Sequence, residues 1–234
     1  MDIDKRIEDA VRHTEILRAP KQSLYTFGTT NICYYLVTEP AYSELIQNIT
    51  ETVVREGRVV AERPKIVTPF YLSRLEGFGP EARRYFTALV GEYGERGVHG
   101  LFYTYKNEPK ELSIVSDNLL SVVDKLNAEI DKRGDPLAAI IRGEDALWDV
   151  SLMKFIFEIT RSSVPDNLRQ LGRRGLLNVD ASGTPVDARI RIDELFDKVA
   201  RGECEPGELK DELERWGLFE EYEDRFFNIF RKKR

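Results

Sequence analysis

The sequence predicts an α+β fold, with a mainly antiparallel sheet built from hairpins followed by a carboxy-terminal all-helical segment. Two observations predict it. Runs of β-branched and aromatic residues, broken by short Gly- or Asn-containing segments, dominate the chain as far as residue 136, and apolar residues at helical spacing dominate after it. Strand-rich sequence followed by helix-rich sequence is typical of α+β rather than alternating α/β folds. We therefore expect a sheet-containing part over residues 1–136 and a helical part over residues 137–234.

The composition is that of a soluble globular protein. The 234 residues are 41% hydrophobic and 32% charged, which suffices for one large domain or two small ones. The formal net charge of −6 disfavours a protein that coats nucleic acid, because an excess of positive charge is needed to grip phosphate backbones. No apolar run is long enough for a membrane span and no secretory signal is present, so we expect a cytoplasmic protein. Abundant Glu and Arg with few Cys and His are compatible with a thermophilic source.

The first elements are predicted to be a helix and a hairpin. Apolar residues near helical spacing predict a helix over residues 3–17. In YTFGTTNICYYLVTEP, residues 25–40, two β-rich runs flank Gly28–Asn31, and this pattern predicts a hairpin. Its second run is apolar on both faces, which indicates a central strand with Cys33 buried in it.

Turn residues set the bounds of the next elements. Glu56-Gly57 lies between two β-rich runs and predicts a tight turn in a second hairpin. Pro80 suits the first turn of a helix, where its missing N–H costs nothing. The predicted elements are strands at 51–55 and 58–62, a helix at 81–93 after Gly77–Pro80, strands at 101–105 and 111–115 joined across 107–110, and a helix from Leu119 to Ile130 that ends at Arg133–Pro136.

The helical part is predicted to contain five helices. The first runs from Trp148 to Ile159, and a shorter one runs from about Pro165 to Arg174. The small, polar stretch NVDASGTPVD, residues 178–187, is a candidate linker. Three apolar helical faces follow: Ile192, Leu195, Phe196 and Val199; Leu209, Leu213 and Trp216; and Phe219, Tyr222, Phe226, Ile229 and Phe230. We expect the last face to be buried against the body of this chain or against a second copy.

No motif identifies a catalytic site, a metal site or a family. His13 and His99 are the only histidines, and no Cys or His residues are spaced as zinc or iron ligands, so we expect no metal and no cofactor. Cys33 with one of these histidines is the only Cys/His nucleophile pair worth considering. The alternative is that Cys33 is a buried strand residue. The catalytic residues, if there are any, stay unknown.

One segment departs from the acidic character of the chain. RSSVPDNLRQLGRR, residues 161–174, has four arginines and one acid, a local charge of +3. Its serines can cap a helix that Pro165 opens, and Arg169 and Arg173 are spaced to share a helix face. This pattern suits an anion or an acidic partner. The alternative is a solvated face paired with acids such as Glu158. The candidate anion-binding residues are Arg161, Ser163, Arg169, Arg173 and Arg174.

Two classes of function stay open. The favoured one is a non-enzymatic interaction or regulatory protein that binds a protein partner or an anionic ligand, with the carboxy-terminal aromatic helix as a route to a partner or to self-association. The other is an enzyme acting on a phosphorylated or nucleic-acid substrate, in which acids such as Glu39 or Asp117 work beside an anion clamp at Arg161–Arg174. We expect no membrane partner.

Overall fold

The computed structural model describes residues 3–42, 50–68, 71 and 100–231. The predicted helix at 81–93, the preceding turn and His99 lie outside the described residues. The described part forms strands and helices in an α+β arrangement, which confirms the predicted fold class.

The secondary-structure elements follow one another along the described chain with two gaps. In order they are α1 (Ile3–His13), β1 (Glu15–Arg18), β2 (Thr30–Thr38), β3 (Thr52–Ala61), β4 (Lys65–Val67), β5 (Gly100–Phe102), β6 (Tyr105–Val115), α2 (Leu119–Arg133), β7 (Ala138–Arg142), α3 (Trp148–Arg173), α4 (Val186–Arg201), α5 (Pro206–Trp216) and α6 (Phe219–Arg231).

The chain divides into two compact units. The sheet unit comprises Met1–Arg63 and Tyr103–Asn167, and the helical unit comprises Pro64–Phe102 and Leu168–Arg234. Both units are discontinuous in sequence, whereas the division predicted at residue 136 is sequential. One reason for the difference is β7, which adds a strand from the predicted helical part to the sheet.

The described residues of the sheet unit form a sheet of five strands in the order β1-β7-β2-β3-β6. β2 pairs antiparallel with β3 and parallel with β7, and the other two pairings are antiparallel. The apolar run in β2 was predicted to be a central strand, and this is confirmed. Because both faces of a central strand are covered, almost every residue of β2 is buried or half-buried.

In the described part of the chain, α2 packs on one face of this sheet and α3 on the other. On the face that we call the α2 face, Tyr35 and Val37 pack with Val122, Val123 and Ile130. On the opposite α3 face the core residues are Ile32, Tyr34, Leu36, Leu152, Phe155 and Ile159. The α2 helix begins at Asn118, whose side chain accepts a hydrogen bond from the Ser121 N–H, and ends at Gly134, whose φ of 67° is favourable for glycine. These bounds confirm the helix predicted there.

The predicted amino-terminal helix and first hairpin are wrong in part. The helix ends at His13, and the residues after it form the edge strand β1. Residues 24–29 form no strand, because Leu24 and Thr26 bond to side chains of α3 and the Tyr25 N–H donates to the side chain of Thr30. The Leu24 N–H donates to Ser163 Oγ at 2.9 Å, and both residues are buried. Cys33 is half-buried rather than fully buried.

The second predicted hairpin is also wrong, because β3 runs straight through Glu56 and Gly57. Gly57 is needed for packing and not for a turn. A Cβ atom placed on it would lie 2.4 Å from Tyr34 Oη, and the Tyr34 side chain is almost completely buried. The predicted break at residues 107–110 is likewise absent: β6 continues through it with a register shift opposite Glu56 and Gly57. Pro109 is tolerated because β6 is at the edge of the sheet that the described strands form.

The two helices predicted over residues 148–174 are a single helix, α3, with Pro165 in its interior. The serines before this proline therefore do not cap a helix. Ser162 Oγ and Ser163 Oγ both donate to the Ile159 carbonyl, at 3.0 and 2.7 Å. Such back-bonding by serine is common where a helix bends, and proline removes a further backbone bond.

The helical unit has its own core, formed by α4, α5 and α6. The predicted apolar faces of α4 and α5 are confirmed, and that of α6 is confirmed except at Phe230, which is exposed. Ile192, Phe196, Leu209 and Leu213 are buried, Trp216 and Phe226 nearly so, and Phe219, Tyr222 and Ile229 pack against them. The aromatic face of α6 is therefore buried against this chain, whereas Phe227 and Phe230 remain about half exposed. The predicted linker at 178–187 contains an ordered turn in which Asp180 accepts hydrogen bonds from the N–H groups of Ser182 and Thr184.

Candidate functional site

A groove opens on the α2 face of the sheet unit. Its volume is about 370 Å³. It lies between α2 and the part of β3 and β6 that α2 does not cover, and we call it the α2 groove. It is lined by Tyr35, Val54, Glu56, Lys110, Glu111, Ser113, Val115, Val122, Lys125, Leu126, Glu129 and Arg133.

The strand register builds the strand side of the α2 groove, which includes one of its rims. Tyr35, Glu56 and Glu111 form one cross-strand row, because Tyr35 is opposite Glu56 and Glu56 is opposite Glu111. Val54 and Ser113 form part of the next row. Residues directly opposite on paired strands point to the same face, so these side chains form a continuous surface. The register shift in β6 adds Lys110 to the same rim.

The wall of the groove is one side of α2. Val122, Lys125, Leu126, Glu129 and Arg133 recur at spacings of three and four residues and therefore share a helix face. Apolar side chains thus line the bottom of the groove, and charged side chains line both rims.

Charges of both signs alternate around the rim, and each cation has a carboxylate nearby. Lys110 Nζ lies 2.5 Å from Glu56, and Arg133 lies 3.8 Å from Glu129. Arg133 also donates to Tyr35 Oη at 2.6 Å and stands 5.7 Å from the centre of its ring. The hydrogen bond with Glu56 raises the pKa of Lys110, and that with Tyr35 raises the pKa of Arg133. Both side chains are therefore held in the cationic form.

Lys125, the remaining cation of the rim, lies 2.8 Å from Asp117 at the start of α2. The hydrogen bond from Lys125 and a second one from the Asn118 N–H lower the pKa of Asp117. Asp117, an acid that the sequence suggested for catalysis, is therefore held ionised as an ion-pair partner.

Cys33 lies on the same face as Tyr35, two residues before it in β2. Burial raises the pKa of its thiol, and the neighbouring Asp135 carboxylate raises it further. A thiol in such surroundings stays protonated near neutral pH, whereas a catalytic cysteine needs a lowered pKa. The geometry favours the interpretation of Cys33 as a strand residue.

The candidate anion-binding residues lie along α3 and just after it. Arg161, Arg169, Arg173 and Arg174 are exposed, and Arg169 and Arg173 are one turn apart as expected. Ser163 is fully buried, and its hydroxyl is used by Leu24 and Ile159. It is therefore not available to an anion at the surface.

The other predicted reactive groups are dispersed in the sheet unit. Glu39 lies 3.8 Å from Arg142, and His13 bonds to Glu144 at 3.0 Å on the exposed surface. Among the described residues no group of three or more His, Cys, Asp or Glu side chains could hold a metal ion. Within the same residues, no helix has the length and apolar character needed to cross a membrane.

Comparison with known proteins supplies no relative. The chain matches no protein-family model, no curated protein and no solved structure.

Sequence reasoning did not find the α2 groove. The available signal was the alternation of Glu111, Ser113 and Val115, which points these three residues to one side of a strand. That alternation could not show which strand lies beside them, so it could not indicate the row that they form with Glu56 and Val54.

Proposed function

We propose that the protein is a non-enzymatic interaction protein that binds an extended segment of a protein partner in the α2 groove. The observation that carries this proposal is the composition of the groove: an apolar floor between two rims that carry charges of both signs. Apolar centres with polar rims are typical of protein-binding surfaces.

The charges of the groove favour a peptide segment over a purely anionic ligand. The three cations, Lys110, Lys125 and Arg133, are balanced by Glu56, Glu111 and Glu129. An anion would meet these carboxylates at close range, and like charges brought together cost several kcal/mol. A segment that carries both signs can match both rims, while its apolar side chains cover the floor.

The groups at the groove are suited to binding rather than to proton transfer. The Tyr35 hydroxyl accepts a hydrogen bond from Arg133, and Lys110 is held cationic by Glu56. Fixed charges of this kind determine the orientation of a partner and speed its association.

A peptide-library selection tests this proposal. The purified protein is used to select from random twelve-residue peptides, and the selected peptides are then measured against a charge-swapped variant, Lys125→Glu with Glu129→Lys. Because the swap reverses the charge pattern of one rim, we expect binding to fall at least about tenfold.

The matched control is Lys210→Glu with Glu214→Lys on α5. These residues have the same spacing and form an ion pair at 3.4 Å, but they lie outside the groove. Peptides that bind the wild type and both swapped variants equally well would contradict the proposal, as would a selection that enriches no sequence.

A second candidate function is anion binding by the arginines of α3. The supporting observation is that Arg169 and Arg173 are exposed and one turn apart. If they bind anions, Arg169→Ala with Arg173→Ala should elute earlier from heparin in a salt gradient, with unchanged thermal unfolding. Unchanged elution would show that the patch is a solvated face.

A further inference from the structure

The second half of β6 is an open strand edge beside the α2 groove. β6 pairs with β3, and no other described strand lies beside it. Edge strands offer unpaired backbone N–H and C=O groups to other chains unless a lysine, a proline or a bulge prevents the pairing. The first half of β6 has these protections in Lys106, Pro109 and the register shift beside Lys110. Residues 112–115 have none of them.

The side chains of this edge point alternately to two different surfaces. Those that line the α2 groove are Glu111, Ser113 and Val115. Leu112 and Ile114 alternate with them and therefore point to the α3 face. They are 59% and 53% exposed, although both are large and apolar. A chain that lies along this edge therefore meets the rim of the groove on one side and exposed apolar residues on the other.

A carboxylate is in excess on the groove side of this edge. The cations and carboxylates that line the described groove are equal in number, but Lys125 is held by Asp117, which is a further carboxylate. Glu111 lies directly opposite Glu56, where like charges repel. The hydrogen bond with Glu56 and, more weakly, the charge of Glu111 both raise the pKa of Lys110. A cation brought beside Glu111 is therefore attracted by two carboxylates that have one lysine between them.

We propose that the segment of the partner protein is a β-strand that pairs with residues 111–115 of β6 and carries a Lys or Arg beside Glu111. This inference rests on the proposed function and adds how the segment is held and which side chains it needs. Ser113, the smallest residue that β6 contributes to the groove, lies opposite Val54. A side chain of the added strand can therefore pass over Ser113 to the apolar bottom of the groove.

Strand addition suits this edge for two physical reasons. Hydrogen bonds between paired backbones supply affinity, so a short segment can bind without a large apolar area. Side chains of a strand alternate between its faces, so each face of the segment has its own requirement. We expect apolar residues where the segment covers Leu112 and Ile114. Alternating with them, on the α2 face, we expect at least one basic residue beside Glu111.

The first test uses peptides selected with the wild-type protein and made again with one backbone N-methyl group at a time. An N-methyl group removes one hydrogen-bond donor of the peptide. Because only alternate N–H groups of an added strand face β6, alternate positions over about five residues should lose binding at least about tenfold, and the positions between them should not. Sensitivity without this alternation would overturn the proposal.

The second test gives the open half of β6 the protection that its first half has. Leu112→Lys places a lysine on the edge and should weaken peptide binding at least about tenfold. The matched control is Leu120→Lys, because Leu120 is 72% exposed on α2 and does not line the groove. Both positions are exposed, so both variants should fold like the wild type. Equal binding by the two variants would overturn the proposal.

The third test concerns the charge beside Glu111. Glu111→Lys should weaken a selected peptide at least about tenfold, and replacing the basic residue of that peptide by Glu should restore binding to this variant. The fold should tolerate the change, because it removes the repulsion between Glu111 and Glu56. A loss that the exchanged peptide does not reverse would overturn the assigned partner of Glu111.

The outcomes separate this inference from the proposed function. Peptides that respond to Lys125→Glu with Glu129→Lys, but not to N-methylation or to Leu112→Lys, would keep the groove as the binding site and overturn strand addition. A selection that enriches no peptide would overturn both. A wild type that is a dimer by light scattering, and that Leu112→Lys converts to a monomer, would place a second copy on this edge and overturn the peptide strand.

Discussion

Replacing Gly57 by Ala should destabilise the sheet unit although it adds a single methyl group in the middle of a strand. The new Cβ would lie 2.4 Å from Tyr34 Oη and 2.5 Å from Cζ, and Tyr34 is only 1% exposed. Tyr34 also donates a hydrogen bond to Asn107 at 3.0 Å. Either the ring or β3 must move, because real Cβ atoms do not approach so closely.

The expected cost follows from these two contacts. Overpacking of a filled core costs about 1–3 kcal/mol. Loss of the Tyr34–Asn107 hydrogen bond adds about 0.5–1.5 kcal/mol. We therefore expect Gly57→Ala to lower the free energy of unfolding by about 2–4 kcal/mol, measured by urea denaturation.

Gly207→Ala is a control of opposite sign. Gly207 lies in α5, and a Cβ placed on it meets no atom within 4 Å. Alanine should therefore stabilise the protein by about 0.5 kcal/mol, since it restricts the unfolded chain.

A double-mutant cycle isolates the proposed clash. In a Tyr34→Leu background the ring is absent, so Gly57→Ala should cost much less than in the wild type. The reasoning is refuted if Gly57→Ala costs under about 0.5 kcal/mol, or if its cost is the same in both backgrounds.

The other predictions concern a buried ring, an ionised turn and a thiol. Phe226→Ala should lower the free energy of unfolding by about 3–5 kcal/mol, because Phe226 is buried. Phe227→Ala, at a half-exposed site, should lower it by less than about 1 kcal/mol. Equal melting temperatures of the two variants would contradict this prediction. Burial alone would raise the pKa of Asp180, but hydrogen bonds from Ser182, Thr184 and Arg189 hold it at about 2, below the unfolded value. The ionised Asp180 should therefore stabilise the folded protein by on the order of 1 kcal/mol above about pH 4, and this contribution should be lost as the pH falls to 2. In urea titrations, the free energy of unfolding of Asp180→Asn should fall less over this pH range than that of the wild type. Labelling of Cys33 by a thiol reagent should occur at a higher pH than labelling of an ordinary thiol, because the pKa of Cys33 is raised. Asp135→Asn should shift the pH profile of labelling to lower pH. If the two profiles coincide, Asp135 does not raise the pKa of Cys33.

Much of the fold could be predicted where local signals and tertiary contacts agree. α2 begins at a capping asparagine and ends at a left-handed glycine, and both residues are visible in the sequence. The apolar faces of α4, α5 and α6 recur at helical spacing and are the faces that the structure buries. In these elements the residues that specify an end or a face are neighbours in sequence.

The wrong secondary-structure predictions concern residues whose role depends on parts of the chain that are distant in sequence. Gly57 resembles a turn glycine, but its role is to leave room for Tyr34 on the next strand. Pro165 resembles the first residue of a helix, but α3 continues through it. β7 has only five residues, four of them apolar, and so short a run has too little periodicity to separate strand from helix. The α2 groove depends on the register of β3 and β6 at the shift, which no local pattern encodes.

The parallel pairing of β2 with β7 has a consequence for how the protein folds. β2 can pair with β3 soon after both are synthesised. Its other neighbour, β7, follows about a hundred residues later in the chain. Closing so long a loop costs chain entropy before the contacts between β2 and β7 can form. During translation, the edge of the apolar strand β2 that pairs with β7 therefore stays unpaired until β7 has left the ribosome. A nascent chain that stops before residue 138 lacks the strand that completes this edge, and such edges are where misassembly and aggregation begin.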